Sequence, residues 1–124
     1  MSDSRELTAS ERSVLELILS VSFTGSQELI RQLQRARVGG GLPTLLDIVI
    51  EGEPPQRSPC SDGPVPVRAF VEADDGTPEG EILVWVSDGV LAGLEYAWVT
   101  DTPPAAFPPR HKVRLQLSSP RENG

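Results

Sequence analysis

Few residues of this chain are of the types that do chemistry, and their spacing keeps them apart. His111 is the only histidine, in the segment PPRHK. Cys60 is the only cysteine, in SPCSDG. A thiol acts as a thiolate and needs a base beside it, and neither residue has such a partner nearby in sequence. One cysteine also excludes an internal disulfide. Metal centres need several N, S or O ligands at workable spacing, and no such set is present. DDGTPEG, residues 74–80, lacks the alternating acids and closing glutamate of a calcium loop and reads as a solvated turn. Gly39-Gly40-Gly41 lacks the lysine of a phosphate-cradling loop and reads as the end of a helix. The expected catalytic residues, metal ligands and cofactors are therefore none.

One carboxylate stands out by its surroundings. Glu95 lies between Leu94 and Tyr96 in ILVWVSDGVLAGLEYAWVT, residues 82–100, the densest apolar stretch of the chain. Asp88-Gly89 in its middle is a strong signal for a two-residue hairpin turn. Strict alternation from that turn puts Leu83, Trp85, Val90, Leu94, Tyr96 and Trp98 on one face. Ile82, Val84, Val86, Leu91, Ala97 and Val99 fall on the other, with Gly93 and Glu95. Both faces are then apolar, whereas a sheet covered on one side alternates polar and apolar. Glu95 has two readings: pairing with an arginine such as Arg68 or capping loop amides, or projecting into a concave site where desolvation raises its pKa. The candidate binding residues are Trp85, Glu95, Tyr96, Trp98 and Asp101.

The elements that must position these residues follow from periodicity and caps. TASE, Thr8 to Glu11, fits a capping box ahead of a helix over 9–21, with Val14, Leu17, Ile18 and Val21 on one stripe. TGSQ, Thr24 to Gln27, is a second cap-like signal. The helix after it has a stripe of Leu29, Ile30, Leu33 and Ala36, and carries Arg31, Arg35 and Arg37 toward a C-terminus that favours cations. The period then changes to two over 45–51, 65–73 and the opening hairpin, and again over 112–118 as a candidate edge strand. The proline-rich 53–66 and 101–109 read as connections. Helices before strands indicate an α+β domain over 7–109. Two N-terminal helices are expected on a four- or five-stranded antiparallel meander, with 1–6 and 119–124 frayed. The helices have stripe enough for one sheet face. The other face must be covered by the 103–109 segment with Phe107, by the 54–66 loop, or by another chain.

Composition bounds the partners. The 124 residues carry a net charge of -7, with 38% hydrophobic and 23% charged residues. Phosphate backbones reward lysine and arginine and anionic membranes attract basic segments, so neither nucleic acid nor membrane is an expected partner. No stretch reaches the ~18 apolar residues of a membrane span, and the first residues lack a signal-peptide pattern, so a cytoplasmic location is expected. Lys112 is the one lysine among eleven basic residues, a bias that points to a GC-rich bacterial genome.

LTASERSVLELILS, FTGSQELIRQLQRARV and DGVLAGLEYAWVTDTPPAAFP together resemble a family of small uncharacterised bacterial proteins of actinobacterial type. The resemblance spans most of 7–109, and its specific part is a DGxLxxLEYxxxTDxxP segment, matched by Asp88, Gly89, Leu91, Leu94, Glu95, Tyr96, Asp101 and Pro104. It implies two helices followed by a strand meander and implies no activity. The expected function is a non-enzymatic acidic domain that binds a protein partner or a second copy of itself, in the style of an immunity protein. The alternative is a small-molecule binder or enzyme with a pocket around Glu95, Tyr96 and Asp101.

Overall fold

The computed structural model describes residues 4–53 and 55–117. The expected fraying of 1–3 and 119–124 lies outside the described residues. β1 (Arg5–Glu6) is a short strand where fraying was expected. Helix α1 (Ala9–Leu19) then starts from the expected capping box. The Glu11 amide donates to Thr8 Oγ1 at 3.1 Å, and the Thr8 amide donates back to Glu11 Oε1 at 2.9 Å. α1 buries Val14, Leu15, Ile18 and Leu19.

Helix α2 (Ser26–Leu33) departs from its sequence reading at both ends. Its N-cap is Gly25, at φ 88°, and no side chain caps it. A Cβ at Gly25 would come within 2.0 Å of Ser58 Oγ, so the packed loop leaves room there for glycine alone. The helix stops at Leu33, and Ala36, Arg37 and the three glycines belong to a strand instead, β2 (Ala36–Leu42). Ala36 and Val38 alternate inward while Arg37 bonds outward to Glu51. The helical stripe ending on Ala36 and the strand alternation starting on it share one residue, which is why a short apolar pattern misleads here. Ile30 is 39% exposed, and Gln32 takes the inward place beside Leu29 and Leu33.

The remaining strands are β3 (Leu45–Ile50), β4 (Gly63–Pro64), β5 (Val67–Glu72), β6 (Pro78–Ser87), β7 (Val90–Trp98) and, after a 3-10 turn at Arg110–Lys112, β8 (Val113–Leu117). All pair antiparallel in one eight-stranded sheet of order β1-β2-β3-β7-β6-β5-β8, with β4 on β6 beside β5. An α+β domain holds, but the simple meander of four or five strands does not. β2–β3 is a hairpin and β5–β6–β7 a meander, and the two units join where β3 lies against β7. The sheet extends past 7–109 at both ends, to Arg5 and Leu117.

Strict alternation also fails, and one residue is the cause. Asp88 (φ 55°) and Gly89 (φ 77°) form the expected two-residue turn, and Ser87 faces Val90. Val86 then pairs with Leu91, but Trp85 pairs with Gly93. Ala92 is the extra residue of a β-bulge, which re-aims every side chain beyond it. Leu94 and Tyr96 therefore join Ile82, Val84, Val86 and Leu91 in the core, whereas Trp85 and Glu95 share the opposite face.

The segments proposed to cover the second face complete the first one instead. Phe107 is buried against Tyr96, with ring centroids 6.0 Å apart. Ser58 and Cys60 are buried in the layer that holds the helices, and Ser58 Oγ donates to the Gly25 carbonyl at 2.8 Å. Gln32 ties this layer together. Its Nε2 donates to the carbonyls of Gln56 and Gly89, and its Oε1 accepts from the Leu91 amide, each at 2.9 Å.

Gln32→Leu leaves the Leu91 amide and the Gln56 carbonyl without these partners, and a buried orphaned group costs about 1–3 kcal/mol. Urea unfolding of Gln32→Leu is predicted to show a loss of about 2–4 kcal/mol, and of Ile30→Ala under about 1 kcal/mol.

Candidate functional site

The structure separates the five candidate residues. Tyr96 is buried in the core, where burial first and the charge of Glu79 second push its phenol pKa up. Trp85 and Glu95 lie half-buried on the outer face. Trp98, 38% exposed, ends β7, and Asp101 is exposed in the segment after it. Glu95 and Tyr96 are adjacent in a strand and point to opposite faces, so no single pocket holds both.

The outer face answers the question raised by Glu95. Trp85 Nε1 donates to Glu95 Oε1 at 2.9 Å. Arg68, the arginine considered for Glu95, is taken by Glu81, with Nε and Nη2 each donating at 2.9 Å. The position opposite Trp85 is Gly93, and a Cβ there would meet Trp85 Cδ1 at an ordinary contact distance of 3.7 Å. The indole thus lies toward bare backbone, and its N–H reaches diagonally to the carboxylate on the next inter-strand row.

Charge divides this face into two halves. On the β5–β8 side every acid has a cation: Glu81 has Arg68, and Glu72 has Arg114 at 3.0 Å. Phe70 lies between these arginines, with guanidinium carbons 4.8 and 5.2 Å from its ring centroid. On the β3–β7 side, Asp47 and Glu95 have no cation partner among the described residues. Leu45 and Val49 stand beside them, 43% and 41% exposed.

A second concave feature lies on the helix side of the sheet, and sequence reasoning missed it. It is a cavity of about 600 Å³ bounded by Arg5, Thr8 and Glu11, by β2 from Gly40 onward, and by Ala105 and Ala106. Arg5 Nη1 and Nη2 each donate to one Glu11 oxygen at 3.0 Å. Glu11 is 6% exposed. Burial pushes its pKa up, but hydrogen bonds from Arg5 and Thr8 outweigh that, and the net shift is down. No signal short of knowing that 36–42 is a strand brings these segments together.

The other chemistry-bearing residues lie outside these two features. Cys60 is buried, and burial raises its thiol pKa, the wrong direction for a nucleophile. His111 is exposed in the 3-10 turn. Asp75 accepts from the Thr77 amide across the 74–77 turn, and the Thr77 side chain first and this amide second hold its carboxyl below the usual range. Among the described residues, no group of three His, Cys, Asp or Glu could hold a metal ion, and no helix is long and apolar enough to cross a membrane.

Comparison of the chain with protein-family models, with curated proteins and with solved structures finds no match. The residues of the 88–104 segment nevertheless have legible positions. Asp88-Gly89 is the turn, Leu91, Leu94 and Tyr96 point inward, and Glu95 receives the indole N–H.

Two predictions come from these carboxylates. Replacing Glu95 with alanine removes the acceptor, so the Trp85 indole proton is predicted to exchange with solvent markedly faster by NMR, and stability to fall by about 1 kcal/mol. Glu95→Gln keeps the acceptor and the slow exchange. Glu11 has a lowered folded pKa, so its contribution is full above the ordinary value of 4.5 and is lost as pH falls through the folded value. Between pH 7 and 3, Glu11→Gln is predicted to lose less stability than the parent chain in urea titrations.

Proposed function

We propose that this chain is a non-enzymatic protein-interaction domain whose docking surface is the outer sheet face around Trp85 and Glu95, and whose partner is a basic protein. The observation that carries this reading is the unequal pairing of charge across one face. Acids on the β5–β8 half are neutralised within the chain. Among the described residues, Asp47 and Glu95 have no cation partner, and they stand beside exposed Leu45 and Val49 and the half-buried Trp85. Aromatic and aliphatic anchors with complementary charge are the composition of a recognition surface. A partner contributing arginines between apolar side chains satisfies both features. A second copy, two-fold related, would bring like charges together, and the net charge of -7 opposes it at long range.

The same reading places the domain in the cytoplasm of a bacterium, within the family that the 88–104 segment resembles, and makes neutralisation of a basic toxin the form of partner it fits best. Nucleic acid and membranes are unfavoured by charge.

The test uses sedimentation velocity and ¹⁵N NMR. The chain is predicted to be a monomer at about 100 μM, a concentration that populates dimers of micromolar affinity. A peptide of alternating arginine and leucine is predicted to shift the Trp85 indole signal and the amides of β3 and β7. The double variant Asp47→Asn, Glu95→Gln should weaken that binding about tenfold, as should raising the salt. A dimer dispersed by Trp85→Ala, or peptide shifts confined to other surfaces, would count against the proposal.

A further inference from the structure

Among the described residues, β1 covers the outer edge of β2 at Arg37 and Val38, through Glu6 and Arg5. Gly40 to Leu42 pair with β3 on one side and with no described strand on the other, and Gly39 is skipped at a register shift between Val38 and Gly40. In an antiparallel strand, alternate residues turn both N–H and C=O to each side, so this segment turns backbone groups toward an edge on which no described strand pairs. Edges of this kind accept an added strand. Natural edges are blocked by lysine, proline or inward charge. Here three consecutive glycines leave the backbone bare.

The cavity is part of the same feature. Val38 and Leu46 point inward, and Gly41, which pairs with Leu46, occupies an inward position without a side chain. Gly41 has φ 114°, and a Cβ there would stand 2.1 Å from the Leu45 carbonyl oxygen. The backbone thus requires glycine, and Gly41 lines the cavity of about 600 Å³ without a side chain of its own. Arg5 shares the inward side with its cross-strand partner Val38 and lines this space. Its guanidinium has five N–H donors. Among the described residues, the bonds it makes, from Nη1 to the Glu6 carbonyl and to Glu11 and from Nη2 to Glu11, leave its Nε without a partner.

We propose that Gly39–Leu42 is a strand-addition site for an extended segment of a protein partner. The segment runs antiparallel to β2, in line with β1, and the side chain it places opposite Gly41 enters the cavity. That side chain is a carboxylate, bound by the Nε edge of Arg5 among Val38, Leu46 and Ala105. The site is separate from the outer face around Trp85 and does not depend on it.

The probe is an acetylated, amidated octapeptide of alternating threonine and valine with one central aspartate, offered to the full chain at up to about 1 mM, the range of a weak single-strand contact. Hydrogen exchange of the Gly40, Gly41 and Leu42 amides is followed by NMR. The expected result is slowed exchange at one or more of these amides and no change at the Trp85 indole. A version N-methylated on alternate amides should not bind, and Arg5→Met or exchange of the aspartate for alanine should weaken binding about tenfold. The Arg5 variant also loses its bond to Glu11, so the alanine peptide on the parent chain keeps the test decisive if that variant unfolds. Equal binding of the N-methylated peptide would mean side-chain capture without strand pairing and would overturn the proposal. So would protection appearing only along β8, or none at the highest concentration. Trp85 and Gly40–Leu42 report separately in one spectrum, so failure here is distinguishable from failure of the outer-face reading.

Discussion

A single inserted residue in β7 decides which side chains this protein hides and which it shows. Without the bulge at Ala92, the side chains past it would point the other way, because side-chain direction in a strand has a period of two. Leu94 and Tyr96 would then lie outside with Trp85, and Glu95 would lie in the core without its indole partner. With the bulge, Leu94 is fully buried, Tyr96 meets Phe107, and Glu95 receives the Trp85 N–H. In β7, packing and surface chemistry thus rest on one backbone irregularity. Bulges recur where a sheet must re-aim a side chain.

The bulge is held from the helix side by a neutral amide rather than a charge. Gln32 reaches from α2 to the Leu91 amide beside the bulge and to the carbonyls of Gly89 and Gln56. An ion here would cost several kcal/mol to desolvate, whereas an amide has donors and an acceptor that match the three backbone groups. The ion pairs lie mostly at exposed positions, where each is worth about 0–1 kcal/mol. Their effect is on the character of the outer face: Arg68 and Arg114 neutralise one half of it and sandwich Phe70.

Much of this was legible in the residues. The capping box at Thr8, the Asp88-Gly89 turn and the strands over 45–50, 67–72 and 113–117 follow from local chemistry. What was not legible depended on tertiary packing. Gly39–Gly41 looks like a helix stop because nothing local announces that Leu45 will crowd Gly41. Gln32 looks like a solvated helix residue because its three partners lie far along the chain. The bulge does have a trace: Leu91, Leu94 and Tyr96 are spaced three and then two, a break in alternation that one added residue produces. Of the candidate residues, Trp85 and Glu95 share one face and a hydrogen bond, whereas strict alternation placed them on opposite faces. The cavity beside Arg5 required knowing the sheet order.

The strand order also has a kinetic side. Within the sheet, among the described residues, the two local units, β2–β3 and β5–β6–β7, are joined where β3 meets β7, at Leu45–Glu95, Leu46–Leu94 and Asp47–Gly93. That seam closes a long loop, and loop closure must be completed before its contacts stabilise anything. Hairpins form in microseconds, so we expect the seam to set the folding rate. Truncating Leu46 should then slow refolding in stopped-flow measurements, while truncating Leu19 in α1 should mainly speed unfolding. The opposite pattern would place the slow step in the helical layer.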